Sequence, residues 1–216
     1  MKSVLTQDEA AKAVERINAL SFVDGARTAG WHAKLVKKNE QVDRNHPDYI
    51  ALNKSVTEII MRNSTFRMGF RPRHVTPLLF SRYHDGMEYG THVDDPHMYN
   101  LRSDVSFTVF LADPSTYDGG ELVMETTGGE QAYKLGIGDM IAYSSTTLHR
   151  VTPVTRGERL AAVGWSQSFI RDAAKREILY ELDIARRSIF DREKKSRDFD
   201  LISRAHANLI RMWSDG

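Results

Sequence analysis

The feature that most constrains the fold is a change in hydrophobic periodicity near residue 66. Upstream of it, Ala10, Ala13, Val14, Ile17 and Leu20 recur at helical spacing. From about residue 66 to residue 170, apolar and polar residues alternate with a period of two, which is typical of β-strands with one buried face. Helical spacing returns after Phe169. This order predicts a β core with helices on either side.

Turn signals divide the alternating region into eight short predicted strands. The pattern predicts strands over 76–83, 89–93, 105–111, 120–125, 132–135, 140–143, 148–154 and 160–169. Pairs such as Asp85-Gly86, Asp113-Pro114 and Gly128-Gly129 separate them. Short strands with regular punctuation are typical of a sandwich or a double-sheet jelly roll. We therefore predict a mainly β fold: a supporting helical region over 1–65 packed on one sheet, a double-stranded β-helix over 66–170, and a C-terminal helical extension over 171–216.

Several local signals give more detailed expectations outside the core. Thr6-Gln7-Asp8-Glu9 has the form of a capping box, which starts a helix. Weak alternation over Trp31–Val36 indicates a short strand. Pro47-Asp48 is expected to open a second helix, with Asp48 as its cap before Tyr49. The almost wholly charged run Asp191–Asp200 is expected to be a solvated connection.

Composition excludes several classes of site. The chain has 216 residues, a formal net charge of +1 and no cysteine. Disulfides, thiolate nucleophiles and cysteine-bound metals are therefore excluded, so a metal would need His, Asp or Glu ligands. The balanced charge argues against nucleic acid as a partner. No apolar run approaches the roughly 18 residues of a membrane span, and the first residues lack the apolar segment of a secretory signal. The expected location is the cytoplasm.

His92-Val93-Asp94 is the first sign of a metal site. Residues two apart on a strand point to the same face, so an imidazole and a carboxylate can converge on one ion. The triplet alone carries little weight, because about 0.6 such triplets are expected by chance in a chain of this composition. A second triplet, His46-Pro47-Asp48, lies at the predicted start of a helix and is interpreted as structural.

Two later residues complete the pattern around His92 and Asp94. His149 lies on a later predicted strand, and Arg159 follows ten positions further on. Two imidazoles and one carboxylate on one face of an iron ion leave three coordination positions open, as in iron(II) oxygenases. A planar guanidinium suits a carboxylate ligand better than an ammonium does.

This pattern resembles the 2-oxoglutarate dioxygenases of the prolyl-4-hydroxylase type. The spacing His-x-Asp…His-x(10)-Arg, preceded by Tyr83-His84-Asp85-Gly86-Met87-Glu88-Tyr89, carries the resemblance. Flanking motifs are similar to those of the bacterial PKHD-type hydroxylases, often labelled iron-uptake factors. These motifs are Phe80-Ser81-Arg82-Tyr83, Gly30-Trp31, Val36-Lys37-Lys38-Asn39, Gly119-Gly120-Glu121-Leu122 and Trp165-Ser166-Gln167-Ser168. The similarity extends over nearly the whole chain.

The resemblance implies a role for each site residue. His92, Asp94 and His149 are expected to be iron(II) ligands and the catalytic centre. Arg159 is expected to bind the distal carboxylate of 2-oxoglutarate, and Tyr83 to be a second contact to this cosubstrate. The implied reaction consumes O₂ and 2-oxoglutarate, releases succinate and CO₂, and hydroxylates an unidentified peptidyl residue or small molecule such as a siderophore. L-Ascorbate is a further expected cofactor.

Two other functions stay open at this stage. One is a non-catalytic sensor that binds iron or 2-oxoglutarate and signals through the C-terminal helices. The other is a cupin-type metalloenzyme, such as an isomerase, that does not use 2-oxoglutarate. The apolar stripes of the C-terminal helices also predict a homodimer formed partly through them. Asp95 and His97 are expected to shape a turn at Asp95-Pro96, and Trp165 could face either the core or the pocket.

Overall fold

The structure is a computed structural model that describes residues 1–215. Its α-helices are α1 (Gln7–Asn18), α2 (Pro47–Arg62), α3 (Ser64–Phe70), α4 (Ala173–Glu193) and α5 (Arg197–Trp213). Two short 3₁₀ helices cover Gly25–Thr28 and Ala33–Leu35. The strands are β1 (Phe22–Asp24), β2 (Lys37–Lys38), β3 (Glu40–Val42), β4 (Pro72–Val75), β5 (Leu79–Tyr83), β6 (Glu88–His92), β7 (His97–Met98), β8 (Leu101–Arg102), β9 (Val105–Phe110), β10 (Asp118–Gly119), β11 (Leu122–Thr126), β12 (Gly129–Tyr133), β13 (Met140–Ser144), β14 (His149–Val151), β15 (Val154–Arg156) and β16 (Arg159–Ser168).

The strands form two principal antiparallel sheets. The larger sheet has the order β1-β3-β5-β16-β9-β13, with β4 also paired to β16. The smaller sheet has the order β12-β11-β14-β6-β2. Strands that are far apart in sequence are therefore neighbours in both sheets. The arrangement confirms the predicted β-rich jelly-roll fold.

The N-terminal helices pack on the outer face of the larger sheet. One hydrophobic cluster joins Ile17 of α1 and Ile60 of α2 to Phe80, Phe107 and Leu160 of the sheet. The neighbouring side chains on these strands point the other way, because successive residues of a strand alternate between its faces. One face of the larger sheet thus forms the helix-packed core, and the other face is left for the interior of the jelly roll.

The interior between the sheets is lined by a second apolar cluster. It contains Tyr83 and Phe110 from the larger sheet and Leu122, Met124 and Val151 from the smaller one. Tyr83, Leu122 and Val151 of this cluster also line the pocket described below.

The N-terminal cap of α1 agrees with the prediction from sequence, and that of α2 differs from it. At α1 the Thr6 hydroxyl accepts a hydrogen bond from the Glu9 amide, and the Glu9 carboxylate accepts one from the Thr6 amide, which confirms the capping box. At α2 the cap is His46, whose Nδ1 accepts a hydrogen bond from the Asp48 amide at 3.3 Å. The prediction of Asp48 as the cap is therefore wrong, although Asp48 does lie in the first helical turn.

Three further expectations are corrected. The segment 31–36 forms no strand, since its centre is the 3₁₀ helix Ala33–Leu35. The alternating region was expected to begin near residue 66, but Phe66 is fully buried within α3 and the first strand after it is β4. The run Asp191–Asp200 is mostly helical: α4 continues to Glu193, and α5 begins at Arg197 after the cap Ser196.

The C-terminal helices form a hairpin that contacts the core near α3. Arg71, in a left-handed backbone conformation at the end of α3, lies with one guanidinium nitrogen 2.9 Å from Nε2 of the buried His206 on α5. Asp183 on α4 is also buried and pairs with Arg186. Over residues 1–215, no helix combines the length and the hydrophobicity required to cross a membrane.

Candidate active site

The structure brings together the three predicted metal-binding side chains. His92 ends β6 and His149 begins β14, and the two residues face each other directly in the antiparallel pair. Asp94 lies two residues beyond β6. One ligating atom from each of the three residues lies within 4.8 Å of the others. Residues far apart in the chain therefore meet at one point, as their spacing predicted.

Both imidazoles are oriented by backbone carbonyls two residues upstream. Nδ1 of His92 donates to the carbonyl oxygen of Gly90 at 2.8 Å, and Nδ1 of His149 donates to that of Thr147 at 2.9 Å. A proton on Nδ1 leaves the lone pair of a neutral imidazole on Nε2. Such a hydrogen bond to the remote nitrogen is typical of metal-binding histidines, because it fixes both the tautomer and the ring orientation.

Burial keeps His92 neutral, and aromatic rings lie against both histidines. The ring of Tyr89 stacks on His92 with centroids 3.6 Å apart, and Tyr143 contacts His149 edge-on at 5.2 Å. Burial, together with the neighbouring charge of His149, lowers the pKa of His92 to about 4. The unprotonated form that can bind a metal is therefore the stable form at neutral pH.

Asp94 is held by a chain of serine hydroxyls. Ser106 Oγ donates to Asp94 Oδ2 at 2.5 Å and lies 2.8 Å from Ser145 Oγ. The carboxylate oxygens lie 4.0 Å from Nε2 of His92 and 3.8 Å from Nε2 of His149. These separations are too long for hydrogen bonds. The three acceptors surround a point without bonding to one another, which is the arrangement that a shared cation requires.

Arg159 lies in the same pocket as this triad. It opens β16 and faces Tyr83 of β5 in the strand register, with its guanidinium carbon 5.1 Å from the Tyr83 ring centroid. The residue is only 1% exposed, yet its Nε and one terminal nitrogen have no hydrogen-bond partner among the described residues. A buried cation without a partner costs several kcal/mol. The geometry therefore fits an anionic ligand for this guanidinium.

Gly120 allows the close packing around Arg159. A β-carbon at this position would lie 2.9 Å from Cδ of Arg159 and 3.0 Å from the Tyr117 ring, and its φ of +69° is unfavourable for other residues. The buried Tyr117 hydroxyl also has no partner in the part of the chain that is described. The motif Gly119-Gly120-Glu121-Leu122 supported the family resemblance, but the sequence did not indicate that Gly120 packs against the arginine.

The pocket has a volume of about 720 Å³, including space open to solvent, and both sheets line it. The larger sheet contributes Ser81, Thr108 and Trp165, and the smaller sheet contributes Leu122 and Val151. Trp165 therefore lines the pocket, which answers the question that the sequence left open. Asp95 also lines it and lies where a β-carbon on Gly30 would approach its carboxylate at 3.0 Å, so its role extends beyond the expected turn.

The N-terminal segment also contributes to the pocket, which the sequence did not predict. Thr28, Lys37 and Gln41 all line it, although this region was expected only to support the core. Lys37 is 7% exposed, and burial lowers its pKa to about 8. The only sequence signal was Val36-Lys37-Lys38-Asn39, which supported the family resemblance without suggesting a role for the lysine.

The other candidate histidines are separate from the site. His46 caps α2, which confirms the structural interpretation of His46-Pro47-Asp48. His97 is exposed on the short strand β7. His84 lies near Glu40 and Asp85 on the surface of the larger sheet. None of these belongs to the group of possible metal ligands found within residues 1–215.

Comparison with known proteins identifies the class that this fold and site define. Residues 78–167, which span Tyr83, the triad and Arg159, match the 2OG-Fe(II) oxygenase superfamily. A prolyl-4-hydroxylase from Pseudomonas putida has the same fold, with a TM-score of 0.52 and 23% identity over 78% of this chain and 90% of that one. A prolyl hydroxylase from Trichoplax adhaerens, solved with a peptide fragment of hypoxia inducible factor, gives a TM-score of 0.57 and 16% identity over 82% and 84% of the two chains. The chain is a 2-oxoglutarate-dependent oxygenase.

Full-length relatives place the chain more narrowly. It is 52% identical over 212 residues to a PKHD-type hydroxylase of a Picosynechococcus species, covering 98% of this chain and 97% of that protein. It is 50% identical to a PKHD-type hydroxylase of Acaryochloris marina with the same coverage. The chain belongs to the PKHD-type hydroxylase family, as the sequence resemblance predicted.

Proposed function

We propose that this chain hydroxylates an organic substrate, with His92, Asp94 and His149 as the ligands of a catalytic iron(II). The observation that carries the proposal is the presence of two complementary features in one pocket: three converging acceptor atoms and a buried guanidinium without a partner. Bound iron(II) would supply the activation of O₂, coupled to the decarboxylation of 2-oxoglutarate to succinate and CO₂.

The protein side chains would set the geometry of this chemistry. The carbonyls of Gly90 and Thr147 direct both Nε2 atoms inward, and Ser106 fixes the Asp94 carboxylate. Because these supports are part of the strands and their connections, the ligands are held in place before a metal binds. Such preorganisation raises metal affinity and keeps the remaining coordination positions on one side.

Arg159 would bind the distal carboxylate of 2-oxoglutarate. Its guanidinium can donate charge-assisted hydrogen bonds to a carboxylate, and its Nε and one terminal nitrogen have no partner among residues 1–215. Tyr83 would border the cosubstrate, since it is the cross-strand neighbour of Arg159 and also lines the pocket. The rings of Tyr89, Tyr143 and Trp165 would exclude water from the reacting atoms.

The experiment that tests the proposal measures succinate release from 2-oxoglutarate in the presence of iron(II), with and without candidate substrates. We expect His92→Ala and Arg159→Ala to reduce turnover at least about 100-fold at limiting cosubstrate, because the first removes a metal ligand and the second removes the charged contact to the cosubstrate. Arg156→Ala is the matched control, since Arg156 is exposed and pairs with Asp118 outside the pocket. Equal turnover in all four proteins would remove the assignment.

The sensor alternative is not favoured by these findings, because the relatives at about 50% identity are named as hydroxylases. A slow decay of 2-oxoglutarate without substrate would separate the enzyme from a binding protein. An isomerase of the cupin type would bind a metal but would not respond to 2-oxoglutarate. Stimulation of turnover by L-ascorbate tests the remaining cofactor prediction.

We also infer that the α4–α5 hairpin joins two copies of the chain. Its two helices keep several large apolar side chains exposed, namely Ile178, Ile184, Phe190, Leu201 and Met212. Burial of such residues between copies is the expected means of removing them from water. Light scattering at micromolar concentration tests this inference, and a strictly monomeric protein would refute it.

A further inference from the structure

Lys37 is a buried cation that the proposed reaction does not use. It lies on β2, at the edge of the smaller sheet, where it pairs with Tyr89 of β6 in the strand register. The residue is 7% exposed and lines the same pocket as the metal triad. Its neighbour Lys38 points the opposite way, with an exposed side chain 3.9 Å from the Glu88 carboxylate. The two adjacent lysines therefore have entirely different environments.

The ammonium group of Lys37 has few partners. Its Nζ donates to Thr28 Oγ1 at 3.0 Å and lies 4.9 Å from the centroid of the Tyr89 ring. Among residues 1–215, no carboxylate approaches it within 4.0 Å; Asp24 and Asp94, whose charges raise its pKa, act from further away. An ammonium has three N–H donors. One hydrogen bond thus leaves donors available to a ligand in the pocket.

A hydrogen-bonded relay fixes the position of this ammonium. The Thr28 hydroxyl lies 2.7 Å from Gln41 Oε1, to which it donates, so its lone pair is free to accept from Lys37. Gln41 Nε2 in turn donates to Ser81 Oγ at 3.3 Å. The relay runs from β2 to β3 and β5 and joins the edge of the smaller sheet to the larger sheet. A flexible side chain is held in this way at one place on the pocket wall.

Lys37 and Arg159 act on different parts of the pocket. The Lys37 ammonium lies 4.9 Å from the centroid of the Tyr89 ring, which stacks on His92 of the triad. The Arg159 guanidinium carbon instead lies 5.1 Å from the ring centroid of Tyr83 and 5.5 Å from that of Phe110. The two cations therefore contact different rings of the pocket. A cosubstrate carboxylate bound at Arg159 would leave Lys37 available.

The balance of charges in the pocket indicates which chemical class of ligand Lys37 would bind. In the proposed complex, the charges of iron(II), the Asp94 carboxylate, dianionic 2-oxoglutarate and Arg159 cancel. Asp95 also lines the pocket but is partly exposed, and it does not approach the Lys37 ammonium within 4.0 Å. Lys37 then remains as a buried positive charge without a carboxylate in contact with it, which is unfavourable unless a ligand supplies one. We propose that Lys37 binds a carboxylate of the primary substrate and so selects an organic acid whose oxidised C–H bond lies near its acidic group. This inference rests on the proposed function, because the metal and the cosubstrate must share the pocket.

The test measures binding to the full chain loaded with redox-inert zinc(II) and saturating 2-oxoglutarate. The probes are two pairs, each of an acid and its uncharged amide. Butyrate and butyramide represent a free organic acid. The blocked derivatives of aspartate and asparagine represent an acidic side chain in a peptide. We expect wild-type protein to prefer one acid over its amide. In Lys37→Met the affinity for that acid should fall about 10- to 100-fold, the loss expected for a hydrogen bond to a charged group, with the amide unaffected. The pair that shows the preference identifies the source of the carboxylate.

Three further measurements make the outcome decisive. Lys38→Met, the matched control, should behave as wild type, and Lys37→Arg should retain the preference for the acid because it keeps the charge. The affinity for 2-oxoglutarate should change less than about twofold in Lys37→Met. Equal acid binding by wild type and Lys37→Met would overturn the inference, as would a parallel loss of 2-oxoglutarate binding. If wild type selects acids but never binds 2-oxoglutarate, the proposed function fails and the acid site stands.

Discussion

Replacing Ser106 by alanine removes one hydroxyl next to the metal triad without touching the three ligands. Ser106 is 1% exposed on β9, and its hydroxyl donates a hydrogen bond to Asp94 Oδ2 at 2.5 Å. A hydroxyl has one proton, so the 2.8 Å contact with Ser145 must be one in which Ser145 donates. The pair therefore forms a directed chain that ends at the carboxylate, and Ser106→Ala breaks its last link.

The expected cost follows from the type of contact. A hydrogen bond to a charged group contributes about 1.5–3 kcal/mol, and loss of a partner behind a metal ligand typically lowers metal affinity about 10- to 100-fold. We therefore expect the dissociation constant for iron(II) or zinc(II) to rise by this factor in Ser106→Ala. Competition with a chromophoric chelator measures it directly, and no substrate is needed.

Two variants control for indirect effects. Ser145→Ala removes the outer link only, so a smaller loss is expected. Ser103→Ala alters a hydroxyl 3.3 Å from Ser145 and should leave metal affinity unchanged within about twofold. A Ser106→Ala protein that folds normally and binds metal as tightly as wild type would refute the reasoning that Ser106 orients Asp94.

Two further predictions concern stability. Gly120→Ala should lower the free energy of unfolding by about 1–3 kcal/mol, because the added carbon meets Arg159 and a positive φ becomes strained. Gly129→Ala is the control, since nothing lies within 4 Å of the added carbon, and it should lower the free energy of unfolding by less in the same denaturant titration. An equal loss in both variants would show that the contact with Arg159 is unimportant. Burial and the charge of Arg71 lower the pKa of His206, so the unfolded chain takes up a proton first and stability should fall as the pH drops below about 6.5. His206→Asn should show a weaker loss between pH 7.5 and 5.5, and an identical pH dependence would contradict this cause.

The fold was predictable where local pattern and tertiary packing agree. Alternation over Val105–Phe110 marks a strand because Phe107 and Val109 face the helices while Ser106 and Thr108 face the interior. The segment 31–36 has a similar weak alternation, but the amides of Leu35 and Val36 bond back to carbonyls three residues earlier and form the 3₁₀ helix Ala33–Leu35. The charged run 191–200 was predicted to be a connection because it lacks an apolar stripe. Most of it is helical, because the ends of α4 and α5 are exposed and their charged side chains lie in solvent.

The site residues that could be predicted are those that form a recognisable sequence motif. His92 ends β6 and Asp94 follows it by two residues, and His149 and Arg159 lie at a spacing that the family resemblance supplied. Lys37 leaves no such signature, since only the crossing of residues 37–42 from the smaller to the larger sheet brings it beside the triad. The support from Ser106 also depends on strand pairing across a long separation. Such contacts follow from topology, which local patterns do not specify.

The central claim is that the triad and Arg159 form one site in which metal and cosubstrate bind together. The most direct measurement is the affinity of the protein for 2-oxoglutarate with and without zinc(II), for wild type and for His149→Ala. We predict that the metal tightens binding at least about tenfold in wild type, a coupling of about 1.4 kcal/mol, and has no such effect in the variant. Metal-independent binding in wild type, or the same metal effect in both proteins, would contradict the account.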